Sequence, residues 1–361
     1  MTELDTRPVA PAPEEPLSLP LTTPTLPRWA PALAAVVSVA LAALVGMIGG
    51  LGLVPTVLLA WVLVVLALPA WSQAVEGRRK SVDRLATTLV WSTFAVALIP
   101  LVSLVYEVVS NGVGVLSAQF FTFDMRGVLG EGGGIYHALM GTLIITALAT
   151  VISVPIGVLA AIYLVEYGKG NRLARTITFL VDVMTGIPSI VAGLFAYALF
   201  ALIFGPSVRF GIGGAVALSV LMIPTVVRAT EEMLKLVPDE LREASYALGV
   251  PKWRTIVKVV LPTAVAGIAT GVTLAIARVA GETAPLLIIV GTTTTVNFNP
   301  FDGRMATLPV FIYSSVTTGG RYDAEQLERA WGAALVLVAI VMLLNLLARA
   351  IGTYFAPKSG R

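Results

Sequence analysis

Two groups of residues in this chain have types and spacings that could do chemistry. The first is Arg278 and Glu282, in the stretch IARVAGETAPLL. They are the only charges in the apolar run 259–290. A charged side chain at the centre of a bilayer costs roughly 2.5–3.5 kcal/mol on insertion scales, so such a residue faces a cavity or a partner. A guanidinium offers a planar fork of donors that fits a tetrahedral oxyanion. Four residues of separation predicts that the pair shares one helix face. Arg278 and Glu282 therefore read as substrate-pathway residues, against the plainer reading of an inert ion pair. Gly281 and Pro285 flank them as candidate bends or gating points.

The second group is a polar island, residues 231–262, between two apolar runs. Pro238-Asp239-Glu240 opens like a helix start. Leu241, Ala244, Ala247 and Leu248 then recur at helical spacing, and Gly249 is a stop. A second short helix is expected over 251–259. The first helix would carry an apolar face outside the membrane, and such a face needs a surface to cover it. A lipid surface is the alternative cover.

These residues must be positioned by membrane-spanning helices. Of 361 residues, 57% are hydrophobic and 12% charged, against roughly 25% charged in soluble domains. No charge lies between Arg28 and Glu76. One helix of that length would be on the order of 70 Å, so it must fold back, at Gly49-Gly50-Leu51-Gly52. Two spans are expected at 31–48 and 53–71. Six more are expected at 85–106, 138–165, 177–204, 211–227, 259–290 and 330–348. Lys and Arg crowd loops 72–84, 166–176 and 228–258 and are sparse in the loops between them, which hold Arg126, Arg209, Arg304 and Arg321. That alternation places both termini and the polar island in the cytoplasm.

The expected class is an all-α polytopic membrane protein. Residues 1–28, rich in Pro, Thr and acids, read as a disordered cytoplasmic tail. Residues 29–72 read as an accessory transmembrane hairpin, and 85–355 as the functional core. The chain has no cysteine and no phosphate loop, and it presents no nucleophile–base or metal constellation. No catalytic residue, metal site or nucleic-acid partner is expected. His137 is the lone histidine. Glu166 and Glu107 sit at span ends, and Asp182 reads as an interfacial carboxylate. Gly186, Pro188 and Gly193 mark a bend or a close helix contact. The long loop 291–329 reads as an outer surface, with 308–313 dipping back toward the membrane.

Glu243-Ala244-Ser245, then Gly249, then Val259 and Leu261-Pro262, resembles the EAA signature of ABC-importer permeases. Ser245 stands for its second Ala and Val259 for its Ile. Residues 185–195, 277–287 and 305–313 are similar to stretches of the PstA family of phosphate-importer permeases. The resemblance covers about 85–355 and implies a six-helix type I permease core preceded by an extra hairpin. It implies that Glu243, Ala244, Ser245, Gly249, Leu261 and Pro262 couple the chain to an ATPase. It implies four kinds of subunit: this permease, a PstC-like second permease, a PstB-like ATPase dimer and an extracytoplasmic PstS-like phosphate-binding protein. ATP and Mg belong to the ATPase, and this chain binds no cofactor. The implied location is the bacterial inner membrane. Phosphonate, sulfate or molybdate as cargo, a gradient-driven secondary transporter and a non-transporting scaffold are the competing readings.

Overall fold

A computed structural model describes residues 24–168, 170–318 and 323–355. Among these residues the chain is helical or irregular, with no strand. It divides into two compact units, Met1–Ser103 and Leu104–Arg361. The division falls inside a continuous helix, Arg78–Gly112.

The first unit begins with α1 (Ala30–Gly49) and α2 (Leu53–Val75). Gly50, in the left-handed region at φ +62°, caps α1. Ala30, Ala34, Ser38, Ala42 and Gly46 recur every fourth residue and are the buried residues of α1. Small side chains let helix backbones approach closely, and Thr56 of α2 occupies the space beside Gly46. The next helix, α3, runs Arg78–Gly112. Glu76, between α2 and α3, ties this unit together. It accepts from the Leu26 amide at 2.8 Å, from Ser72 Oγ at 2.6 Å and from Arg84 at 3.3 Å. These bonds hold its carboxyl at a pKa of about 2. The expected disordered tail falls mostly on residues 1–23, outside the described residues. Leu26 is buried and hydrogen-bonded, so the ordered chain starts before Arg28.

The second unit contains α4 (Ala118–Thr122), α5 (Tyr136–Ile162), α6 (Arg172–Thr185), α7 (Ser189–Phe204) and α8 (Gly211–Lys235). It continues with α9 (Asp239–Ala247), α10 (Lys252–Thr255), α11 (Leu261–Ala280), α12 (Ala284–Ile289), α13 (Leu308–Thr317) and α14 (Asp323–Phe355). Helices α5 and α8 form its centre and run side by side in the same direction. Ile145 meets Gly214, the Ala149 carbonyl faces Ser219 Oγ at 3.5 Å, and Gly157 meets Val226. The core around them includes Ile145, Leu218 and Met222 together with Ile289 of α12.

That parallel pairing decides the span count. Seven helices are long and apolar enough to cross a membrane, and α6 and α7 pass that test only together, bent by 110°. The chain leaves α5 at one end of the bundle and enters α8 at the other, so α6 and α7 must bring it back across. Asp182 of α6 pairs with Arg228 near the end of α8, and Phe200 of α7 lies by Gly213 at its start. The run 177–204 is therefore one broken crossing rather than a straight helix, which brings the candidate crossings among the described residues to eight.

The run 259–290 is broken as well. Helix α11 stops at Ala280 with Gly281 as its cap, and α12 restarts beyond Thr283 with Pro285 in its first turn. Residues 308–313 were expected to dip toward the membrane. They form the start of α13, where Leu308, Pro309, Val310 and Phe311 are buried.

Candidate functional site

Helix α9 carries its polarity inside out. Arg242 and Ser245 are its buried residues, while Leu241, Ala244, Tyr246, Ala247 and Leu248 face outward. Leu248 is 84% exposed. Pro238 precedes the first turn, Asp239 and Glu240 suit the positive end of the helix, and Gly249 at φ +77° ends it. Glu243 is exposed beside the apolar residues. A surface helix ordinarily buries its apolar stripe, whereas the stripe of α9 is left uncovered by the described residues.

The inward face is a clamp. Arg242 donates through Nε and Nη2 to Glu166 Oε1, at 3.1 and 3.0 Å. Its remaining N–H groups reach the carbonyls of Val237 (2.6 Å) and Leu234 (2.9 Å), and Asp239 Oδ1 (3.1 Å). Glu166 lies in a single π-helical turn, Tyr163–Tyr167, that extends α5. Lys252 of α10 donates to the Glu166 carbonyl and lies over the Tyr167 ring. Ser245 shares a 2.8 Å hydrogen bond with Thr255, tying α9 to α10. The ends of α5 and α8 and the start of the next span are thus bound to α9 by buried polar contacts.

The second short helix expected over 251–259 is not separate. Helix α10 passes through a π-helical turn, Ile256–Val260, directly into α11. Leu261 and Pro262 therefore lie inside one continuous helix, Lys252–Ala280, directly after that π-helical turn, where a proline lacks the amide for the backbone ladder. Helix α9 is bonded to the start of this same helix through Thr255.

Near the end of α8 a second charged group forms. Arg228 pairs with Asp182 and, at 2.7 Å, with Glu231, and Lys235 also reaches Glu231 at 2.7 Å. Asp182 is thus an inter-helix partner that fixes α6 against α8.

Arg278 lies in the last turn of α11 and Glu282 in the break that follows. The expectation that they share one helix face is corrected: the helix ends at Ala280, with Gly281 as its cap, between them, and no ion pair joins them. Helix α11 packs antiparallel to α8, with Gly271 against Ala229 and, beyond the break, Val290 against Gly214. Arg278 is seven residues past Gly271, or about 10 Å along the axis, which is level with Met222 near the middle of α8. Ala277, Val279 and Ala280 are buried while Arg278 is exposed. A guanidinium at mid-span turned away from its own bundle needs a protein or aqueous surface.

Gly186 and Pro188 cap α6 and α7 on either side of the 110° bend. Gly193 lies against Pro285, with no room for a side chain. Ile190, Thr283, Ala284, Leu287, Pro309 and Tyr313 line one apolar cleft of about 600 Å³. The two helix breaks therefore open on the same space. Glu166, Arg228, Glu231 and Arg242 were not singled out as site residues by sequence reasoning. The only signal was that Glu166 and Arg228 are charges bordering apolar runs; the pairing of Glu166 with Arg242 spans 76 positions and leaves no local pattern.

A family model described as "Binding-protein-dependent transport system inner membrane component" matches residues 153–361. A Mycobacterium tuberculosis protein named "Phosphate transport system permease protein PstA 1" is 50% identical over 75% of this chain and 88% of its own length. A Yersinia pestis protein named "Phosphate transport system permease protein PstA" is 41% identical over 78% of this chain and 93% of its own. Among solved structures, an inward-facing MetNI methionine ABC transporter chain is similar with a TM-score of 0.50 and 22% identity. That match covers 67% of this chain and all of the other, and it bears on the fold alone.

Proposed function

The chain belongs to the binding-protein-dependent transport inner-membrane family, and on that premise we propose that it carries inorganic phosphate into the cytoplasm as one permease of an ABC importer. The phosphate assignment is supported by relatives named for phosphate transport that align with most of this chain. The coupling role is carried by one observation: a helix outside the membrane-spanning runs with its apolar face outward and its polar face clamped to three spans. A partner that grips that face moves the spans without unfolding the linkage.

The partners on this reading are a PstC-like second permease, a PstB-like ATPase dimer carrying ATP and Mg, and a PstS-like binding protein. The alternation of basic loops supports a cytoplasmic position for α9 and both termini on this reading. Glu243 and Leu248 meet the ATPase. Movement of α9 is passed by Arg242 to Glu166 and so to α5, and by Ser245 to Thr255 and so to α11. Helix α11 ends at Arg278 and the break at Gly281. Tilting α11 against α7 changes what Arg278 faces, which is the gating step.

The test is reconstitution of the four kinds of subunit in vesicles with labelled phosphate. ATP-dependent uptake, competed by phosphate and not by sulfate, molybdate or phosphonate, is expected. Uptake that proceeds without the ATPase, or equal competition by sulfate, would overturn the assignment.

A further inference from the structure

At the α9 end of the second unit, Arg228 and Arg242 each hold two carboxylates. At the opposite end two arginines are treated differently. Arg209 precedes α8, and Arg304 lies in the loop after α12. Both side chains lie against Gly291, the residue just beyond α12. A Cβ placed on Gly291 would stand 2.7 Å from Arg209 Nη1, 3.2 Å from Arg209 Cδ and 3.6 Å from Arg304 Cδ. Gly291 is buried and has φ +74°, so geometry and space both demand glycine there. Neither guanidinium has a carboxylate within ion-pair distance among the described residues.

Two like charges brought together over one glycine repel unless an anion lies between them. Positioning them costs side-chain entropy as well, and no charge on the described chain offsets either cost. Arg209 is half-buried and curls over the glycine, while Arg304 is exposed beside it. Gly291 leaves the ground beside the two arginines without a side chain, and a guanidinium's planar fork of donors suits a compact tetrahedral anion.

We infer that Arg209 and Arg304, seated on Gly291, form an oxyanion-binding site at the extracytoplasmic end of this permease. The site receives the anion before it reaches Arg278. The identity of the anion as phosphate, and the sidedness, rest on the function proposed above. Gly291 follows Val290, which packs on Gly214, whereas Arg278 is level with Met222. The two stations are on the order of 15 Å apart along α8, so the anion passes from one guanidinium group to the next.

The experiment uses the whole reconstituted complex with its binding protein. Arg209→Gln, Arg304→Gln, the double variant and the corresponding Lys variants are compared with wild type. Three quantities are read: phosphate taken up per ATP hydrolysed, ATPase stimulation by loaded binding protein, and the binding-protein concentration giving half stimulation. Each Gln variant is expected to lower phosphate per ATP by about tenfold, the scale of one lost charge-assisted contact, with stimulation and half-stimulating concentration unchanged. The Lys variants recover part of the loss, and Gly291→Ala, which displaces Arg209, reproduces it. Unchanged phosphate per ATP in the double variant overturns the site. A raised half-stimulating concentration with intact phosphate per ATP also overturns it, because the arginines would then hold carboxylates of the docking protein. Vesicles of zwitterionic and of anionic lipid separate free phosphate from headgroups: an effect confined to anionic lipid overturns the site. Failure of the wild-type complex to take up phosphate counts against the proposed function alone. The same variants are then read with whichever oxyanion the wild type carries.

Discussion

Replacing Arg242 by Met should uncouple this permease while leaving its spans in place. The side chain of Glu166 is 5% exposed and that of Arg242 11%. Two of the five donated contacts go to Glu166 Oε1, and among the described residues Arg242 is the only side chain that holds that carboxylate. Met keeps much of the stem volume but leaves the carboxylate buried and unpaired, at a cost of about 3–5 kcal/mol. Glu166→Gln is milder, because Arg242 retains Asp239 and two backbone carbonyls. Its loss is that of charge-assisted hydrogen bonding, about 1.5–3 kcal/mol. At 1.36 kcal/mol per factor of ten, the first change shifts the balance toward a detached α9 by roughly 10²-fold or more. The assay is a double-mutant cycle over Arg242→Met, Glu166→Gln and their combination. ATP-dependent uptake and thermal unfolding of the purified complex are measured at matched membrane levels. The combined variant should be less damaged than the sum of the singles, because it no longer buries an unpaired charge. Strict additivity, or normal uptake by Arg242→Met, would refute the clamp as the link between α9 and α5.

Leu248→Ser should leave stability within about 0.5 kcal/mol, since the side chain is 84% exposed, yet reduce recovery of the ATPase subunit on co-purification. Glu243→Lys should weaken the same association. Arg278→Gln should abolish phosphate uptake with assembly intact, and Arg278→Lys should keep the charge but restore little, for want of the planar fork. Because Arg278 and Glu282 are not paired, neutralising both should not rescue uptake; a rescued double variant would return them to an inert pair. Gly141→Ala places a Cβ 1.9 Å from the Ala306 carbonyl oxygen, a backbone neighbour that yields little. It should cost on the order of 1–3 kcal/mol, read as a lowered Tm. In the first unit, Glu76 is held at a pKa of about 2 by Ser72, the Leu26 amide and Arg84. A carboxyl with a lowered folded pKa stabilises above its ordinary value of 4.5 and loses that contribution as pH falls toward 2. Hydrogen exchange at the Leu26 amide should be pH-independent in its protection above about 4.5 and speed up below it, and Glu76→Gln should abolish that change.

What the sequence determined alone was set by local rules. The absence of charge over tens of residues can only be accommodated in hydrocarbon, so the positions of the apolar runs and their number followed from it. The alternation of basic loops supplied an orientation, and Pro238, the acidic first turn and Gly249 bounded α9. The breaks at Gly186–Pro188 and Gly281–Pro285 were visible as residue types, but not their consequence. Whether a helix with Gly and Pro bends, and by how much, depends on what it packs against. Here the parallel course of α5 and α8 forces α6 and α7 to turn back by 110°. Likewise Arg278 and Glu282 have the spacing of a helical pair, and only the packing of Gly193 on Pro285 shows why the helix stops between them. The clamp was hidden for a different reason. Arg242 and Glu166 look like ordinary interfacial charges, because their meeting requires that α5 and α8 end together at one face of the bundle. The same holds for Arg209 and Arg304, which share a glycine only because α8 and α12 start and finish at the same level. Partners separated by long loops leave no periodicity in the chain, and it was the packing of spans against one another that brought them into contact.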